Sequence, residues 1–351
     1  MKKILHGLNI RADIVRTETN GTVAKYYLKL RPNETVAHIE GRAVELALGL
    51  KAFGRPIVRV ISEEGLVVIE CLVKPVEVVK FGEFEKYFAD GSIFNYGKIP
   101  IVLGRTHSGE DLIVDLADMV HMIIGGSTGS GKSVLLHSII CSIIKAQSAK
   151  LVLIDTKQVE LTQYENVKSL LYPVISTPED ALEVLDNLVI EMDERFERFN
   201  DTKVNNIVAF NDQGKEMPYL ITLIDEFADL QRTYKKEFQN SVCALIQKSR
   251  ACGIHIILST QRPEVSVVTG LIKSNISTRI ALKVVSNVDS RVILDKNGAE
   301  KLLSKGDAFL CSGKYDMTRF QSAYPTTEEV KKICDENRRK ARSRFFDWFG
   351  G

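Results

Sequence analysis

The residues Gly126, Ser127, Thr128, Gly129, Ser130, Gly131, Lys132 and Ser133 follow the spacing G-x-x-x-x-G-K-[ST]. Glycines in such a run let the backbone bend so that successive N–H groups point inward at phosphate oxygens. Lys132 would bring a point charge to the β- and γ-phosphates, and the Ser133 hydroxyl would take a Mg2+ site. Val134 opens the helix behind the loop, whose positive dipole end adds to anion binding. Further along, Leu220–Ile224 ends in Asp225 and Glu226. Two acids after a strand often serve only as a helix N-terminal cap. Downstream of a phosphate loop they read as a catalytic pair, Asp225 holding Mg2+ through its water shell and Glu226 polarising the attacking water. Gln261 follows the next strand, and its amide can both donate to and accept from a γ-phosphate, which suits a sensor. A turn-capping glutamine is the plainer alternative. The transition state also needs positive charge, and one arginine can be worth ~10³–10⁵ in rate. No arginine follows the phosphate loop closely. That favours donation from a neighbouring subunit, and hence a ring.

The elements around these residues have the periodicity the chemistry requires. From His121 onward short apolar runs alternate with helical patterns: Met122–Ile124, Leu151–Ile154, Tyr219–Ile224, Ile254–Ser259 and Arg279–Val284 as strands. Helices are expected at Val134–Ile144, at Pro178–Phe199 behind an N-cap at Thr177, and at Lys236–Cys252 stopped by Gly253. Apolar strands alternating with helices predict an α/β core with a mostly parallel sheet covered on both faces. Ahead of it, strand-like runs at Ala24–Leu30, Pro56–Ile61 and Leu66–Val73 and a helical run at Glu34–Leu50 predict a small α+β domain. Lys80–Asp90 reads as an amphipathic connector, and Ile99–Leu116 as a hairpin turning at Thr106–Gly109. The expected division is residues 1–85, 86–325 and 326–351.

Bulk composition leaves the function open and closes some alternatives. The chain has 351 residues, 44% hydrophobic and 26% charged, with a net charge of +2. No apolar run reaches the roughly 18 residues of a membrane span. The start MKKILH lacks the apolar stretch of a signal peptide. Six scattered cysteines show no metal-ligand spacing and read as reduced thiols of a cytoplasmic protein. A polyanion would have to be gripped by local clusters of charge. Arg338–Arg344 is strongly basic and precedes three phenylalanines and the only tryptophan. This basic-aromatic tail reads either as a packed helix end or as a docking peptide for a partner, nucleic acid or membrane surface.

The stretches GGSTGSGKSV, LVLIDTKQVEL, LITLIDEFADL, KSRACGIHIILSTQRP, VTGLIKSNISTRIALKV and DSRVILDKNGAEKLLSKGDAFL resemble the FtsK/SpoIIIE family of DNA translocases, within the wider HerA–FtsK group. The resemblance covers residues 100–325. It implies a RecA-like P-loop fold, ATP and Mg2+ as cofactors, and a homo-hexameric ring around double-stranded DNA. Carried over by position, Lys132, Ser133, Asp225 and Glu226 match the phosphate, metal and water-activating residues, and Gln261 the sensor. Arg250 matches an arginine that reaches the neighbour's ATP. Arg262, Lys273 and Arg291 fall in segments resembling channel loops that follow the DNA backbone without reading bases. Asn287 stands where relatives often have Lys near the subunit interface. Against the family's pattern, neither membrane helices ahead of this core nor a winged-helix reading module after Tyr324 is expected. A motor serving a mobile element, plasmid or phage is the expectation. The alternatives are a helicase or remodelling motor in replication, and a type VII-like secretion ATPase whose substrate is a polypeptide.

Overall fold

The computed structural model describes residues 1–338. The basic-aromatic tail lies outside the described residues from residue 339 on. Fourteen strands form two sheets among the described residues. The first sheet contains β1 (Ala12–Asn20), β2 (Val23–Leu30), β3 (Ile57–Ile61) and β4 (Leu66–Leu72), ordered β1-β2-β4-β3 and antiparallel throughout. It packs Leu28, Ile69 and Val67 against Leu5, Ile39 and Leu46 of short helices in a core of its own. β1 escapes the periodicity reading because it is an exposed edge strand, ADIVRTETN, with no alternating apolar face. Its pairing to β2 is reinforced by polar side chains: Glu18 accepts the Tyr27 hydroxyl at 2.7 Å, and Asp13 accepts from Arg31 at 2.6 and 2.9 Å. The single helix expected over Glu34–Leu50 is two, Val36–Gly41 and Ala43–Leu50, broken at Arg42.

The large sheet takes β5 (Val79–Lys80), β6 (Pro100–Thr106), β7 (Asp111–Asp115), β8 (Met122–Gly125), β9 (Lys150–Ile154), β10 (Leu220–Ile224), β11 (Ile254–Thr260), β12 (Thr278–Leu282), β13 (Asp307–Cys311) and β14 (Thr318–Tyr324). Its order is β7-β6-β14-β13-β12-β8-β11-β10-β9, with β5 beside β14. The run β12-β8-β11-β10-β9 is parallel. This is the expected α/β core. β13, β14, β6 and β7 extend it by antiparallel pairing, an extension that alternation of strands with helices does not announce.

Alternate side chains of each parallel strand enter two different cores, as a sheet covered on both faces requires. Val152, Ile154, Ile256 and Leu258 pack toward helices 178–202, 235–248 and 287–294. Leu151, Leu153, Ile257 and Ile124 pack toward helices 132–146 and 327–336. The long helix is capped as expected: the Thr177 hydroxyl accepts the Asp180 N–H at 3.2 Å, and Pro178 occupies the first turn. Helix 235–248 ends before Ser249, and Gly253, at φ +73°, makes the turn into β11.

Register decides where chemistry can occur. Ile154 is level with Ile224, Ile224 with Leu258, and Gly125 with Thr260. The carboxyl ends of β8, β9, β10 and β11 therefore meet in one row. Open α/β sheets bind ligands outside the carboxyl ends of their strands.

The small sheet touches this large one through polar contacts. The Thr22 N–H donates to the His107 carbonyl at 3.1 Å, and Arg59 Nη1 to the Met317 carbonyl at 3.1 Å. Below them Arg319 pairs with both oxygens of buried Asp307, at 2.9 and 2.6 Å. No helix among the described residues is long and apolar enough to cross a membrane.

Candidate nucleotide site

The loop 126–131 leaves β8 and turns sharply into helix 132–146. Gly131 sits at φ +102°, and a Cβ there would lie 2.5 Å from the Gly306 nitrogen. That contact exists because the Gly306 N–H donates to the Ser130 carbonyl at 2.7 Å, fastening the loop to the strand pair β13–β14. Gly129, at φ +77°, makes the other left-handed turn. Ser127 is held from the opposite side, its hydroxyl and N–H both donating to the Lys283 carbonyl at 3.0 and 2.9 Å. The loop thus faces a cavity of about 480 Å3 lined by Gly129, Lys132, Ser133, Gln261, Ser322 and Tyr324, among others. Ser322 Oγ is buried there without a protein partner.

Lys132 is 3% exposed. Its ammonium group donates to Asp225 Oδ1 at 2.7 Å, to the Asp225 carbonyl at 2.8 Å and to Ser259 Oγ at 2.8 Å. An ammonium has three protons, so all three are engaged, and contact with a phosphate oxygen requires giving up at least one. The register above explains the trio: Lys132 begins the helix after β8, Ser259 lies near the end of the neighbouring β11, and Asp225 follows β10 one place further on.

Glu226, also buried, has both oxygens in use. Oε1 accepts the Thr260 hydroxyl at 2.5 Å, and Oε2 accepts the Gln261 N–H at 3.0 Å and Lys157 Nζ at 3.4 Å. The Gln261 side chain in turn accepts the Thr128 hydroxyl at 2.9 Å. The sensor candidate is therefore tied to the phosphate loop and to the acid at once. Thr260 also accepts the Arg262 N–H at 3.0 Å, which links Glu226 to the start of a candidate channel loop.

Sequence reasoning missed the wall made by residues 155–161. Asp155, at the end of β9, accepts the N–H groups of Lys157, Val159, Glu160 and Leu161 at 2.9 to 3.2 Å. The turn so built brings Glu160 to the Ser133 hydroxyl, which donates to Oε1 at 2.8 Å. The neighbouring His137 imidazole holds the Glu160 carboxyl below its ordinary range against partial burial, with Ser133 and Lys132 assisting. An acid closing an apolar strand was the available signal: LVLID ends as LITLID does.

The donors fit Mg2+ in kind, since Ser133 and Asp225 offer hard oxygens, and this ion takes one or two protein ligands with phosphate and water completing its shell. In the bound site Ser133 and Asp225 would hold it, and it would draw charge from the phosphate oxygens.

The remaining expected residues are not gathered here. Arg250 is exposed in the turn before β11, beside Lys248 and His255. β11 is seven residues long, roughly 20 Å at ~3.3 Å per residue, so Arg250 and Gln261 lie at its opposite ends. Arg262 is exposed at the carboxyl end. Lys273 lies in the helix preceding β12, where its Nζ pairs with Asp295 at 2.5 Å and donates to the Arg291 carbonyl at 2.8 Å. The Arg291 side chain is exposed beside it, and Asn287 is exposed at the start of the same helix.

A phosphate loop at a strand-to-helix turn, with an acid pair ending a parallel strand two places away, defines a P-loop ATPase. Solved structures carry the same fold. The pCW3 conjugation coupling protein TcpA, in its monomer form with ATPγS, superposes with a TM-score of 0.69 at 23% identity, covering 95% of this chain and 97% of that one. The cytoplasmic domain of the Thermomonospora curvata type VII secretion ATPase EccC gives 0.60 at 24% identity, over 68% of this chain and 31% of that one. The FtsK/SpoIIIE family profile matches residues 92–265. The DNA translocase FtsK of Oceanobacillus iheyensis and the DNA translocase SpoIIIE of Bacillus subtilis are each 37% identical over 351 aligned residues, 95% of this chain. The chain belongs to the FtsK/SpoIIIE family. It spans 44% of the length of those two relatives.

Proposed function

We propose that this chain is the motor of an ATP-driven double-stranded DNA translocase that works as a homo-hexameric ring. The observation that carries the ring is the position of Arg250, a β-strand's length away from the nucleotide cavity of its own chain. A transition-state cation there serves catalysis only if the next subunit presents its cavity to it. In this reading Lys132 and Ser133 hold the nucleotide and Mg2+, Asp225 the metal's water shell, Glu226 the attacking water, and Gln261 reports the γ-phosphate. Arg262 and Arg291 reach the DNA backbone. Lys273 joins them after parting from Asp295, an exchange of one anion for another. Both named relatives are DNA translocases, which supports DNA over a polypeptide as the substrate.

As domains we propose the small α+β unit, the motor through residue 325, and the C-terminal helix with its tail. Residues 79–85 go with the motor, because Val79, Phe81 and Phe84 pack in its core. A cytoplasmic motor of a mobile element, plasmid or phage is the setting we infer, and residence of the coding sequence on such an element checks it.

The experiment is the ATPase rate with double-stranded, single-stranded and no DNA, with the mass of the assembly measured under the same conditions. Strong stimulation by duplex and a sixfold mass are expected. Activation by a partner peptide and not by DNA would replace this reading with a secretion motor. Strand displacement on forked duplex in preference to movement along intact duplex would replace it with a helicase.

A further inference from the structure

We propose that Glu160 is a positioning residue for the divalent cation: by accepting the Ser133 hydrogen bond, it turns the Ser133 oxygen lone pairs toward the ion. The inference rests on the ATPase reading and adds a residue to it. A serine hydroxyl has one proton and two acceptor lone pairs. As a cation ligand it must offer oxygen to the metal, so the proton needs an acceptor on the other side. Glu160 Oε1 is that acceptor, 2.8 Å from Ser133 Oγ. A phosphate oxygen competing for the same proton would rotate the hydroxyl away from the metal. A fixed carboxylate prevents this.

Glu160 is itself held in place by three devices. The Asp155 carboxylate gathers the backbone N–H groups of residues 157, 159, 160 and 161, so the turn has little freedom. Leu161 and Tyr164, both fully buried, anchor the far side of that turn in the core. His137, one helical turn beyond Ser133, comes within 3.7 Å of Glu160 Oε2 through Nε2, while its Nδ1 lies 2.9 Å from the Tyr164 hydroxyl. Residues four apart on a helix share a face, so Ser133 and His137 address the two oxygens of one carboxylate. Supporting groups of this kind orient ligands, and losing one typically costs ~10–100-fold in metal affinity.

The test measures binding and needs no turnover. A fluorescent ATPγS analogue is titrated in EDTA and in rising Mg2+, and bound Mn2+ is counted by electron paramagnetic resonance with ATPγS present. Glu160→Ala should lower the cation affinity of the nucleotide complex by ~10–100-fold and leave nucleotide affinity in EDTA unchanged. Glu160→Gln, which keeps an acceptor oxygen, should recover part of the loss. In a Ser133→Ala background Glu160→Ala should add nothing, because the group it orients is gone. Wild-type cation affinity in Glu160→Ala, an equal loss with and without Mg2+, or an undiminished effect in the Ser133→Ala background would each overturn the inference. Failure of the wild-type chain to bind nucleotide under any condition would instead overturn the ATPase reading beneath it.

Discussion

Lys132→Ala is the obvious variant for silencing a P-loop, and the structure predicts that it does more. Lys132 is the cationic partner of Asp225, and both side chains are almost wholly buried, at 3% and 1% exposure. Removing one member of a buried pair leaves the other charge uncompensated, at a cost of about 3–5 kcal/mol. In protein stripped of nucleotide, Lys132→Ala should therefore lower the free energy of unfolding by roughly that amount. Asp225→Ala should do likewise, since it strands the ammonium with Ser259 as its main remaining side-chain acceptor. The double variant should cost far less than the sum, with a coupling near ~2–3 kcal/mol. The assay is equilibrium urea denaturation of the four proteins in EDTA, followed by far- and near-ultraviolet circular dichroism so that departures from two-state behaviour show. Additive effects, agreeing within about 0.5 kcal/mol, would refute the reasoning. The practical consequence is a control: loss of activity in Lys132→Ala reports catalysis only after its fold has been checked.

Arg250→Ala and Lys132→Ala should each abolish ATP hydrolysis, yet mixtures of the two should regain part of it, because some interfaces then join an intact cavity to an intact Arg250. An inert mixture that assembles normally would count against a shared site. Thr260→Val removes the hydroxyl that binds Glu226 Oε1; a hydrogen bond to a charged group is worth ~1.5–3 kcal/mol, so kcat should fall roughly 10- to 150-fold while ATPγS affinity holds, and an equal loss in affinity would contradict a role confined to the water-activating acid. Burial pushes His121 down to about 3 and His255 down to about 4, so both stay neutral when folded and take up protons only on unfolding. Stability should thus be intact above the unfolded value of 6.5 and decline as pH falls from there toward 4, by up to about 1.4 kcal/mol per pH unit for each histidine. Denaturation midpoints across that window, compared with a His121→Gln/His255→Gln variant, should show a flatter dependence in the variant. Burial raises Cys71 and Cys141 to about 12, so neither should react with a thiol reagent at neutral pH until the chain unfolds.

Much of this protein was legible because its chemistry is local. The eight residues Gly126–Ser133 specify a phosphate loop by themselves, since backbone geometry needs glycine at fixed offsets and the lysine must follow the last one. Asp225 and Glu226 are equally local, sitting where an apolar run stops. The five parallel strands and their covering helices follow from period and punctuation, and each expected strand lies within two residues of its observed position. What stayed hidden depends on distant partners. β1 has no apolar face to betray it. The hairpin expected over Ile99–Leu116 forms as β6–β7, but its joining to β14 is fixed by pairing between segments some two hundred residues apart, such as Phe320 with Thr106. Lys273 reads as a free cation in sequence and is an ion pair with Asp295 in space. Glu160 reads as one more acid in a loop. It becomes part of the site because parallel register sets β9 beside β10 and the four N–H bonds to Asp155 turn the chain back toward Ser133. The sequence by itself determined which groups can bind a nucleotide. Tertiary structure decided which neighbours orient those groups, because a hydrogen bond a few ångströms long has no signature along the chain when its ends belong to different strands.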